Sequence, residues 1–458
     1  MTTTVNITDS EKKHFEIALE AIKVINDNGF QCALIGGSVR DLLRRKHNKT
    51  EVVINDLDFC VFDNDGNSIG FDQMQSLVDQ VNEIGFDIDP AGMKFLHFAA
   101  LKEGFEVEFG TPRAESYIDD SRKPVCVPGN FIDDQKRRDF TINAIFATVS
   151  LKDDNVILDI IAGEDNIIDI KQKILKVINV KEIDKVLDDD PVRVLRAIRF
   201  ANYGFDPTFL LSQAIINFPE EKFQKVSQER MFDELKKILM KGDVKLLFKS
   251  NMIQKIIPEF KEFDGKKFKR MEFDHIVNVI NNADTIEMKL VALFHDLGKA
   301  STGTWNTIQQ RWQFIGHESI STDLTKVILK RFNADNKLIE FVSDVCAKHM
   351  KIKFLSKSKK SKLIKLILTD KHILPALQFN VFDWAGKPKQ WQIDMGVKET
   401  QKLLESKFKV AQDIIDIHLT KDVTKSITKK ICDNDNIPIH NRSTMILAAK
   451  INHLSKIK

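Results

Sequence analysis

The sequence ALIGGSVRDLLRR at residues 33–45 decides the fold of the first part of this 458-residue chain. An apolar run, two glycines and an amphipathic segment predict a strand, a turn and a helix, in that order. Gly36 and Gly37 would let the backbone approach phosphate groups closely, and the unpaired amides at the start of a helix favour anionic oxygens. Ser38 is predicted to cap this helix. Taken alone, such a glycine turn is more often an ordinary connection between a strand and a helix than a phosphate-binding site.

A pair of aspartates follows about twenty residues downstream, in NDLDFCVF at residues 55–62. Because side chains alternate along a strand, Asp56 and Asp58 are predicted to lie on the same face. Carboxylate oxygens are the ligands that Mg²⁺ prefers, and two of them beside substrate phosphates suit an in-line displacement assisted by two metal ions. An isolated pair of this kind is more often a solvated turn at a strand entry. The glycine turn upstream is what favours a magnesium site.

The glycine turn and the aspartate strand together resemble the head of the class II CCA-adding enzymes and bacterial poly(A) polymerases, whose pattern is G-G-x-x-R-D followed by D-x-D. Residues 108–124 look like the strand and flexible loop that follow the metal site in some members. DDQKRRDFTINAI at residues 133–145 matches the family's R-R-D-F-T-x-N-A element. The resemblance implies that Arg138 and Asp139 contact the ribose and favour NTP over dNTP, with Asn143 in the same nucleotide-binding element.

A further matching element is DDDPVRVLRAIRFANYGF at residues 188–205. The resemblance implies that Asp190 and Arg193 read the incoming base. A carboxylate and a guanidinium together accept from and donate to both cytosine and adenine, whereas uracil and guanine present the reversed pattern. Asp189 stands where the family often has Glu, which leaves its supporting role open.

The same segment also has a plain structural interpretation. Asp190 and Pro191 are a common N-cap and first-turn pair, and Arg193, Arg196 and Arg199 could be exposed positions on a helix. In the context of the preceding motifs, we expect these arginines to belong to the nucleotide site.

Three more features extend the predicted site. Arg40 is expected to screen the triphosphate. Glu108 lies at a strand position that could add a third carboxylate, although relatives of this class manage with two. SQERMFDELKKIL at residues 227–239 resembles a helix that supports the nucleotide site in the family.

The second half of the chain carries a different pattern, in which histidines alternate with an HDLGK motif at residues 295–299. The order resembles the metal-dependent phosphohydrolases called HD domains, in which imidazoles and carboxylates hold one or two transition metals that activate water against a phosphoester. The implied ligands are His275, His295, Asp296, His317, His349 and Asp383. A lone histidine on an apolar helix is more often a core residue, and members of the CCA family carry this domain with or without activity.

The composition limits the remaining possibilities. With 43% apolar and 29% charged residues, the chain is long enough for two to four domains. No run of about 18 apolar residues appears and the N-terminus has no signal-peptide pattern, so we expect a cytoplasmic protein without membrane association. The five cysteines lie far apart without a C-x-x-C pair, which predicts reduced, buried thiols.

The net charge of +3 does not by itself indicate nucleic-acid binding, but residues 348–371 are densely basic. Such a segment either follows a phosphate backbone or forms a solvated helix face. Residues 391–458 are predicted to be helical, and either grip the tRNA or have a plain structural role.

We therefore predict an α+β protein whose first part, residues 1–160, is a polymerase beta-like nucleotidyltransferase head with a small mixed sheet. A helical neck for base and RNA recognition (161–250), an HD domain (251–390) and a helical tail (391–458) would follow. The resemblance implies template-independent addition of CCA to the tRNA 3′ end from CTP and ATP with Mg²⁺, and no DNA partner. The alternatives are a poly(A) polymerase, an enzyme adding only CC or only A, an HD phosphohydrolase with a vestigial head, and an idle tRNA-binding protein.

Overall fold

The computed structural model describes residues 1–116, 125–387, 397–433 and 439–455. Residues 117–124 of the predicted flexible loop and residues 391–396 of the predicted tail lie outside these ranges. The chain forms two compact units, Met1–Val226 and Ser227–Lys458. The finer division into four domains stays a prediction.

The first unit is built on a mixed eight-stranded sheet. Its strands are β1 (Thr2–Asn6), β2 (Gln31–Ile35), β3 (Leu57–Phe62), β4 (Asp87–Asp89), β5 (His97–Lys102), β6 (Phe105–Gly110), β9 (Phe146–Lys152) and β10 (Asn155–Ala162). The order across the sheet is β1-β10-β9-β2-β3-β6-β5-β4. Only β3 and β6 run parallel among these neighbours. Two smaller pairs are β7 (Arg113–Ser116) with β8 (Val125–Pro128), and β11 (Ile174–Leu175) with β12 (Asp206–Pro207).

Helices pack against this sheet and extend the unit beyond it. They are α1 (Asp9–Asp27), α2 (Gly36–Asn48), α3 (Phe71–Glu83), α4 (Phe131–Arg137), α5 (Ile167–Lys171), α6 (Ile183–Asp189), α7 (Val192–Asn202) and α8 (Phe209–Asn217). Helix α1 packs against β2, β6 and β9, and α2 packs against β1, β2, β3 and β9. A capping box starts α1, because Thr8 and Glu11 exchange side-chain to backbone hydrogen bonds.

Alternation along β3 and β6 separates the core from the candidate site. Phe59 and Phe109 are buried and their rings stack at 5.7 Å, while Phe98 stacks on Phe109 at 5.2 Å. Because successive side chains leave opposite faces of a strand, Asp58 and Glu108 lie on the face away from these rings. The packed phenylalanines therefore fix the strands that carry both carboxylates.

One strand of the first unit was not predicted, and one prediction was wrong. The N-terminal residues form β1 and pair with β10. A polar five-residue strand has little local signal, and its pairing partner lies about 150 residues later in the chain. Helix α2 begins at Gly36 with Ile35 as its N-cap and without a side-chain cap, so Ser38 does not cap it.

The second unit is mainly helical. Its helices are α9 (Gln228–Met240), α10 (Lys245–Lys249), α11 (Met252–Ile256), α12 (Lys269–Asn282), α13 (Ile286–Phe294), α14 (Lys299–Thr302), α15 (His317–Arg331), α16 (Asn336–Ile352), α17 (Lys360–Thr369), α18 (Ile373–Ala385), α19 (Val397–His418), α20 (Lys421–Cys432) and α21 (Ile439–Ser455). A hairpin of β13 (Gly303–Asn306) and β14 (Arg311–Phe314), which the sequence analysis did not predict, interrupts them.

Helix α13 is the centre of the second unit. Every residue from Met288 to Phe294 is buried, including Lys289, whose ammonium group donates to the carbonyl of Ile280 at 2.7 Å. The helix packs against α9, α12, α15, α16 and α18. An apolar helix surrounded in this way holds the segment that follows it in a fixed position.

The cysteines are free, as predicted, but only three of the five are buried. The prediction of burial was wrong for Cys126 and Cys432, which are half-buried. Among the helices that the structure describes, none combines the length and the apolar character needed to cross a membrane.

Candidate functional site

Three carboxylates converge where β3 runs beside β6. Asp58 and Glu108 are paired in the parallel register, so their side chains are neighbours on one face of the sheet. Burial raises the pKa of Asp58 to about 6, and the negative charges of Glu108 and Asp56 add to that effect while Arg138 opposes it. Asp56 lies just before β3 and is exposed. A divalent cation relieves repulsion of this kind, and carboxylate oxygens are suitable ligands for it.

His97 holds the third carboxylate in position. Its Nε2 atom lies 2.9 Å from Oε2 of Glu108, and this hydrogen bond lowers the pKa of Glu108. Glycines line the opposite side of the ring: a Cβ atom at Gly92 would lie 2.6 Å from Nδ1, and one at Gly110 would lie 3.4 Å from Cδ2. The sequence analysis missed His97, because the strand FLHFAAL carries no motif that singles it out.

The glycine turn is tied directly to the aspartate segment. Gly36 has a φ of +68°, in the left-handed region that favours glycine, and a Cβ atom there would lie 3.4 Å from Nη1 of Arg138. The hydroxyl of Ser38 donates to the backbone carbonyl of Asp56. The serine that was predicted to cap the helix instead joins the turn to the candidate metal site.

Arg40 is buried behind this turn. Its Nε and Nη2 atoms donate to Asp41 at 3.0 and 2.7 Å, and Nη1 donates to Oδ1 of Asn143 at 2.7 Å. The guanidinium also lies over the ring of Phe200 at 5.0 Å. These contacts hold the Arg40 guanidinium inside the protein, where it stabilises the glycine turn. Its direct contact with a triphosphate stays a prediction.

Asn143 continues the network to α7. Its Nδ2 atom donates to Oδ1 of Asp139 at 2.9 Å, and Nε of Arg196 donates to Oδ2 of the same carboxylate at 2.6 Å. Burial favours the neutral acid, but Arg196 and the bond from Asn143 outweigh it and lower the pKa of Asp139 to about 2. A chain of hydrogen bonds therefore joins α2 to α7 through four of the predicted site residues, Arg40, Asn143, Asp139 and Arg196.

Asp134 orients the two arginines of the R-R-D element. Its buried carboxylate accepts from Nη2 of Arg137 at 2.7 Å and from Nε of Arg138 at 2.9 Å. Arg138 also donates from Nη1 to the carbonyl of Asn143 at 3.1 Å, which brings its guanidinium beside the glycine turn. The sequence analysis missed Asp134, although its spacing of three and four residues from the arginines on a helix is the available signal.

The predicted base-reading residues lie at the start of α7. Arg193 is buried, and its Nη1 and Nη2 atoms donate to the carbonyls of Val186 at 2.9 Å and Arg137 at 2.6 Å. Asp190 is half-buried and accepts from the amide of Val192 at 3.3 Å. Burial raises the pKa of the neighbouring Asp189, while Arg193 opposes the shift.

The interpretation of these arginines as exposed helix positions was wrong for two of them. Arg193 and Arg199 are 7% and 8% exposed, and Arg199 lies over the ring of Phe200 at 4.5 Å. Arg196, which binds Asp139, is about one-third exposed in its side chain.

A second cluster forms in the other unit, from six buried side chains. They are His275 on α12, His295 and Asp296 at the end of α13, His317 on α15, His349 on α16 and Asp383 on α18. Two groups of three ligand atoms are each within 4.8 Å of one another: His275, His295 and Asp383 form one group, and Asp296, His317 and His349 form the other. The resemblance had named all six residues, and the fold brings them together.

Asp296 joins the two groups. Its Oδ2 atom lies 2.9 Å from Nε2 of His295, and its Oδ1 atom lies 3.2 Å from Nε2 of His317. Burial opposes the imidazolium of His295, but Asp296 and Asp383 outweigh it and raise the pKa of His295 to about 9. A carboxylate shared by two sets of imidazoles is an arrangement that can bridge two metal ions.

Backbone carbonyls orient the imidazoles of this cluster. The Nδ1 atoms of His295, His317 and His349 lie 2.9, 2.6 and 2.7 Å from the carbonyls of Ala292, Phe314 and Cys346. A hydrogen bond at Nδ1 fixes the ring and its tautomer, and directs Nε2 to the cluster. Burial and the nearby His295 lower the pKa of His349 to about 3, so its ring stays in the neutral form that binds metals.

Comparison with known proteins gives matches to the part of the chain that carries Asp56, Asp58 and Glu108. Residues 32–176 match the Poly A polymerase head domain, and residues 213–264 match the family described as the probable RNA and SrmB- binding site of polymerase A. A CCA-adding enzyme of Staphylococcus saprophyticus is 29% identical over 260 residues, which are 56% of this chain and 58% of that protein. The chain thus carries a segment similar to the poly(A) polymerase head domain and resembles CCA-adding enzymes over about half of its length. Its match therefore spans little more than half of this curated relative.

Another curated relative and a solved structure show the same likeness. A CCA-adding enzyme of Lactobacillus gasseri is 28% identical over 304 residues, 65% of this chain and 68% of that protein. The structure of the Bacillus stearothermophilus CCA-adding enzyme in complex with CTP has a TM-score of 0.59 and 18% identity, and the likeness covers 96% of this chain and 93% of that one. The predicted α+β fold with a nucleotidyltransferase head is thereby confirmed.

The matched segments cover the two clusters unequally. The carboxylates at Asp56, Asp58 and Glu108 lie within the head domain match, residues 32–176, as do Asn143 and Asp139, whereas Arg196 lies outside it. The cluster between His275 and Asp383 lies beyond both matched segments, the second of which ends at residue 264. The role of each site residue stays a prediction.

Proposed function

We propose that this chain adds C, C and A in turn to the 3′ end of tRNA, using CTP and ATP and no nucleic-acid template. The observation that carries the proposal is the convergence of Asp56, Asp58 and Glu108 beside the glycine turn at Gly36. The match to the poly(A) polymerase head domain supports it, as do relatives named CCA-adding enzymes and a similar structure that contains CTP.

The chain's own residues suit a metal-assisted transfer of a nucleotidyl group. The three carboxylates fit Mg²⁺, with Asp56 and Asp58 as ligands and Glu108 as a third oxygen donor. When bound, Mg²⁺ would favour the ionised 3′-hydroxyl of tRNA and neutralise charge on the phosphates. The amides at Gly36 and Gly37 would bind triphosphate oxygens. The 3′-hydroxyl loses its proton to solvent, its oxygen forms a bond to the α-phosphorus, the bond from that phosphorus to the pyrophosphate oxygen breaks, and pyrophosphate leaves.

Ribose and base recognition would follow from the hydrogen-bond network behind the turn. Arg138 and Asp139 are proposed to contact the ribose. Asp190 and Arg193 are proposed to read the donor and acceptor pattern shared by cytosine and adenine. Two backbone carbonyls fix the guanidinium plane of Arg193, and a planar group held in this way gives geometric specificity.

The remaining predicted nucleotide-binding residues would support this surface. Asp189 lies beside Asp190, and Arg196 and Arg199 follow on α7. The basic residues 348–371 and the helical tail are further candidates for contact with the phosphate backbone of tRNA.

The test is incorporation of labelled CTP and ATP, separately and together, into tRNA transcripts that lack the last three, two or one nucleotides. Growth by C, C and A that then stops is the expected result. The Asp56→Ala/Asp58→Ala variant should lose incorporation, whereas Asp79→Ala, which removes an exposed carboxylate on α3, should retain it.

The same assay distinguishes the alternatives. Repeated addition of A would make the chain a poly(A) polymerase, and growth that stops after CC, or that needs a CC end, would make it a partial enzyme. Absence of incorporation with every transcript would refute the nucleotidyltransferase proposal and leave the vestigial-head and idle tRNA-binding hypotheses.

A second activity is favoured by the buried cluster of four histidines and two aspartates. We propose that it binds one or two transition metals and hydrolyses a phosphoester. The mixed nitrogen and oxygen donors fit such metals, and the carbonyls at Nδ1 orient the imidazoles toward them. Bound metal would supply hydroxide from water at neutral pH. Hydrolysis would form a bond from the water oxygen to phosphorus and break the ester P–O bond, and the leaving alkoxide would take up a proton from solvent.

This second proposal is tested without any assay of the first. Mn²⁺ is titrated into the Asp56→Ala/Asp58→Ala variant, which removes two of the three head carboxylates, and bound metal is counted by electron paramagnetic resonance. One or two tightly bound ions are expected, and an Asp296→Asn change should abolish the tight binding. If the Asp296→Asn variant binds the same number of Mn²⁺ ions as tightly, the proposed metal centre is refuted.

A further inference from the structure

A pocket of about 450 Å³ opens beside the second cluster. His275 belongs to both, because it lines the pocket and its Nε2 atom lies 3.0 Å from Oδ1 of Asp383. The other walls come from α12 and the segment before it, from Lys299, and from the two residues after α18. A volume of this size is within the range of small-molecule sites.

The pocket wall is cationic. Four basic side chains line it: Lys267, Arg270, Lys299 and Lys387. The two acidic residues of the wall are engaged by these cations, since Glu272 lies 2.8 Å from Lys299 and Asp274 lies 3.9 Å from Arg270. The wall therefore has more positive than negative groups, which favours an anionic ligand.

Two of the lysines lie between the pocket and the cluster. The ammonium group of Lys299 lies 2.6 Å from Oδ2 of Asp296, and that of Lys387 lies 3.4 Å from Oδ2 of Asp383. Both carboxylates are proposed metal ligands. A divalent cation would compete for the same oxygens and would weaken both contacts.

Gly386 brings Lys387 to this position. A Cβ atom there would lie 2.4 Å from Cγ2 of Val279 and 3.0 Å from its amide nitrogen, so only glycine lets the end of α18 approach α12 this closely. The Lys387 ammonium also lies 3.5 Å from the ring centroid of Trp384. Close packing and a cation–π contact together fix the lysine at the mouth of the metal cluster.

We propose that this pocket binds a phosphate ester of nucleotide size, with the phosphate between Lys387, Lys299 and the metal centre. The organic part of the ligand would lie along Met271 and the aliphatic stems of Lys267 and Arg270. This inference rests on the proposed metal site of the second unit and adds its ligand class and the residues that bind it.

The test uses the full chain carrying Asp56→Ala/Asp58→Ala, so that Asp56 and Asp58, the two proposed metal ligands of the head, do not contribute. The protein is loaded with Mn²⁺, and adenosine, inorganic phosphate and AMP are titrated separately by calorimetry. AMP is expected to bind more tightly than phosphate, and adenosine to bind weakly. Equal affinity for AMP and phosphate would overturn the assignment of a nucleotide-sized ligand.

Lys387→Met keeps the length of the side chain and removes its charge. It should weaken AMP binding about tenfold, the loss expected for one hydrogen bond to a charged group, and leave Mn²⁺ binding within about twofold. Lys387→Arg should retain most of the affinity. The matched control is Lys371→Met, which removes an exposed lysine of the same unit that lies outside the pocket.

The outcomes separate the two proposals. If Mn²⁺ does not bind, the metal site and the pocket assignment are both wrong. If Mn²⁺ binds and Lys387→Met binds AMP as well as Lys371→Met does, the metal site stands and the phosphate role of Lys387 is overturned. Thermal unfolding of each variant shows whether a loss of binding arises from misfolding.

Discussion

Nε2 of His97 lies 2.9 Å from Oε2 of Glu108, and Glu108 is the register partner of Asp58 across the parallel strands β3 and β6. The contact connects β5 to the carboxylates at the centre of the sheet. Because His97 and Glu108 lie on different strands, their hydrogen bond fixes the direction of the Glu108 side chain as well as the position of its backbone.

His97→Asn is expected to raise the Mg²⁺ concentration needed for half-maximal nucleotide incorporation about tenfold, because groups that orient metal ligands contribute to metal affinity on this scale. The rate at saturating Mg²⁺ should stay near that of the unmodified enzyme, since Asp56 and Asp58 are unchanged. The control is Glu106→Gln, an exposed acidic residue of β6 two positions before Glu108. An unchanged Mg²⁺ dependence in His97→Asn would contradict the positioning role.

Gly36→Ala should reduce nucleotide incorporation strongly. It places a Cβ atom on a residue whose backbone is in the left-handed region, and this atom would contact Arg138. Gly104→Ala is the matched control: Gly104 has a φ of +82° and no atom within 4 Å of its Cβ position. Both changes should cost about 1 kcal/mol in the free energy of unfolding, measured by urea titration. Equal activity of the two variants would argue against a functional role for the turn.

Asp139→Asn should lower the free energy of unfolding at pH 7 by about 2 kcal/mol, the value of lowering the pKa of a carboxyl from 3.8 to about 2. Because the folded pKa lies below the unfolded one, this stabilisation is fully present above about pH 4 and is lost as the pH falls through 2. The difference between the two proteins should therefore shrink in urea titrations at pH 3. A difference that does not change between pH 7 and pH 3 would show that charge is not its origin.

Metal binding at the second cluster should stabilise the protein that carries Asp56→Ala/Asp58→Ala. Mn²⁺ at a hundred times its dissociation constant should add about 2.7 kcal/mol to the free energy of unfolding of the unit that binds it, and a chelator should reverse the gain. Asp296→Asn should remove the effect. Asp323→Asn, an exposed position on α15, should keep it, and loss of the effect in both variants would point to general destabilisation.

Much of the candidate head site was predictable from short motifs. The turn at Gly36, the pair Asp56 and Asp58, and the R-R-D element are each contiguous in the chain, so the residue types and their spacing are visible without a structure. His97 was missed because its partner is fixed by strand pairing, whereas Asp134 was missed although its spacing of three and four residues from Arg137 and Arg138 was visible in the sequence. Arg40 was expected to face a triphosphate and is buried, because Asp41 and Asn143 bind its guanidinium.

The sequence by itself determined the fold class, the two aspartates and the six residues of the histidine and aspartate cluster. The fold class and the two aspartates follow from local patterns of polarity and spacing. The six residues of the cluster follow from a resemblance that such patterns carry. Only the tertiary structure decided that Glu108 lies beside Asp58, that β1 pairs with β10, and that Lys387 reaches Asp383 at the mouth of a pocket. These relationships depend on register and packing between distant segments, where the free energy comes from contacts that no local pattern encodes.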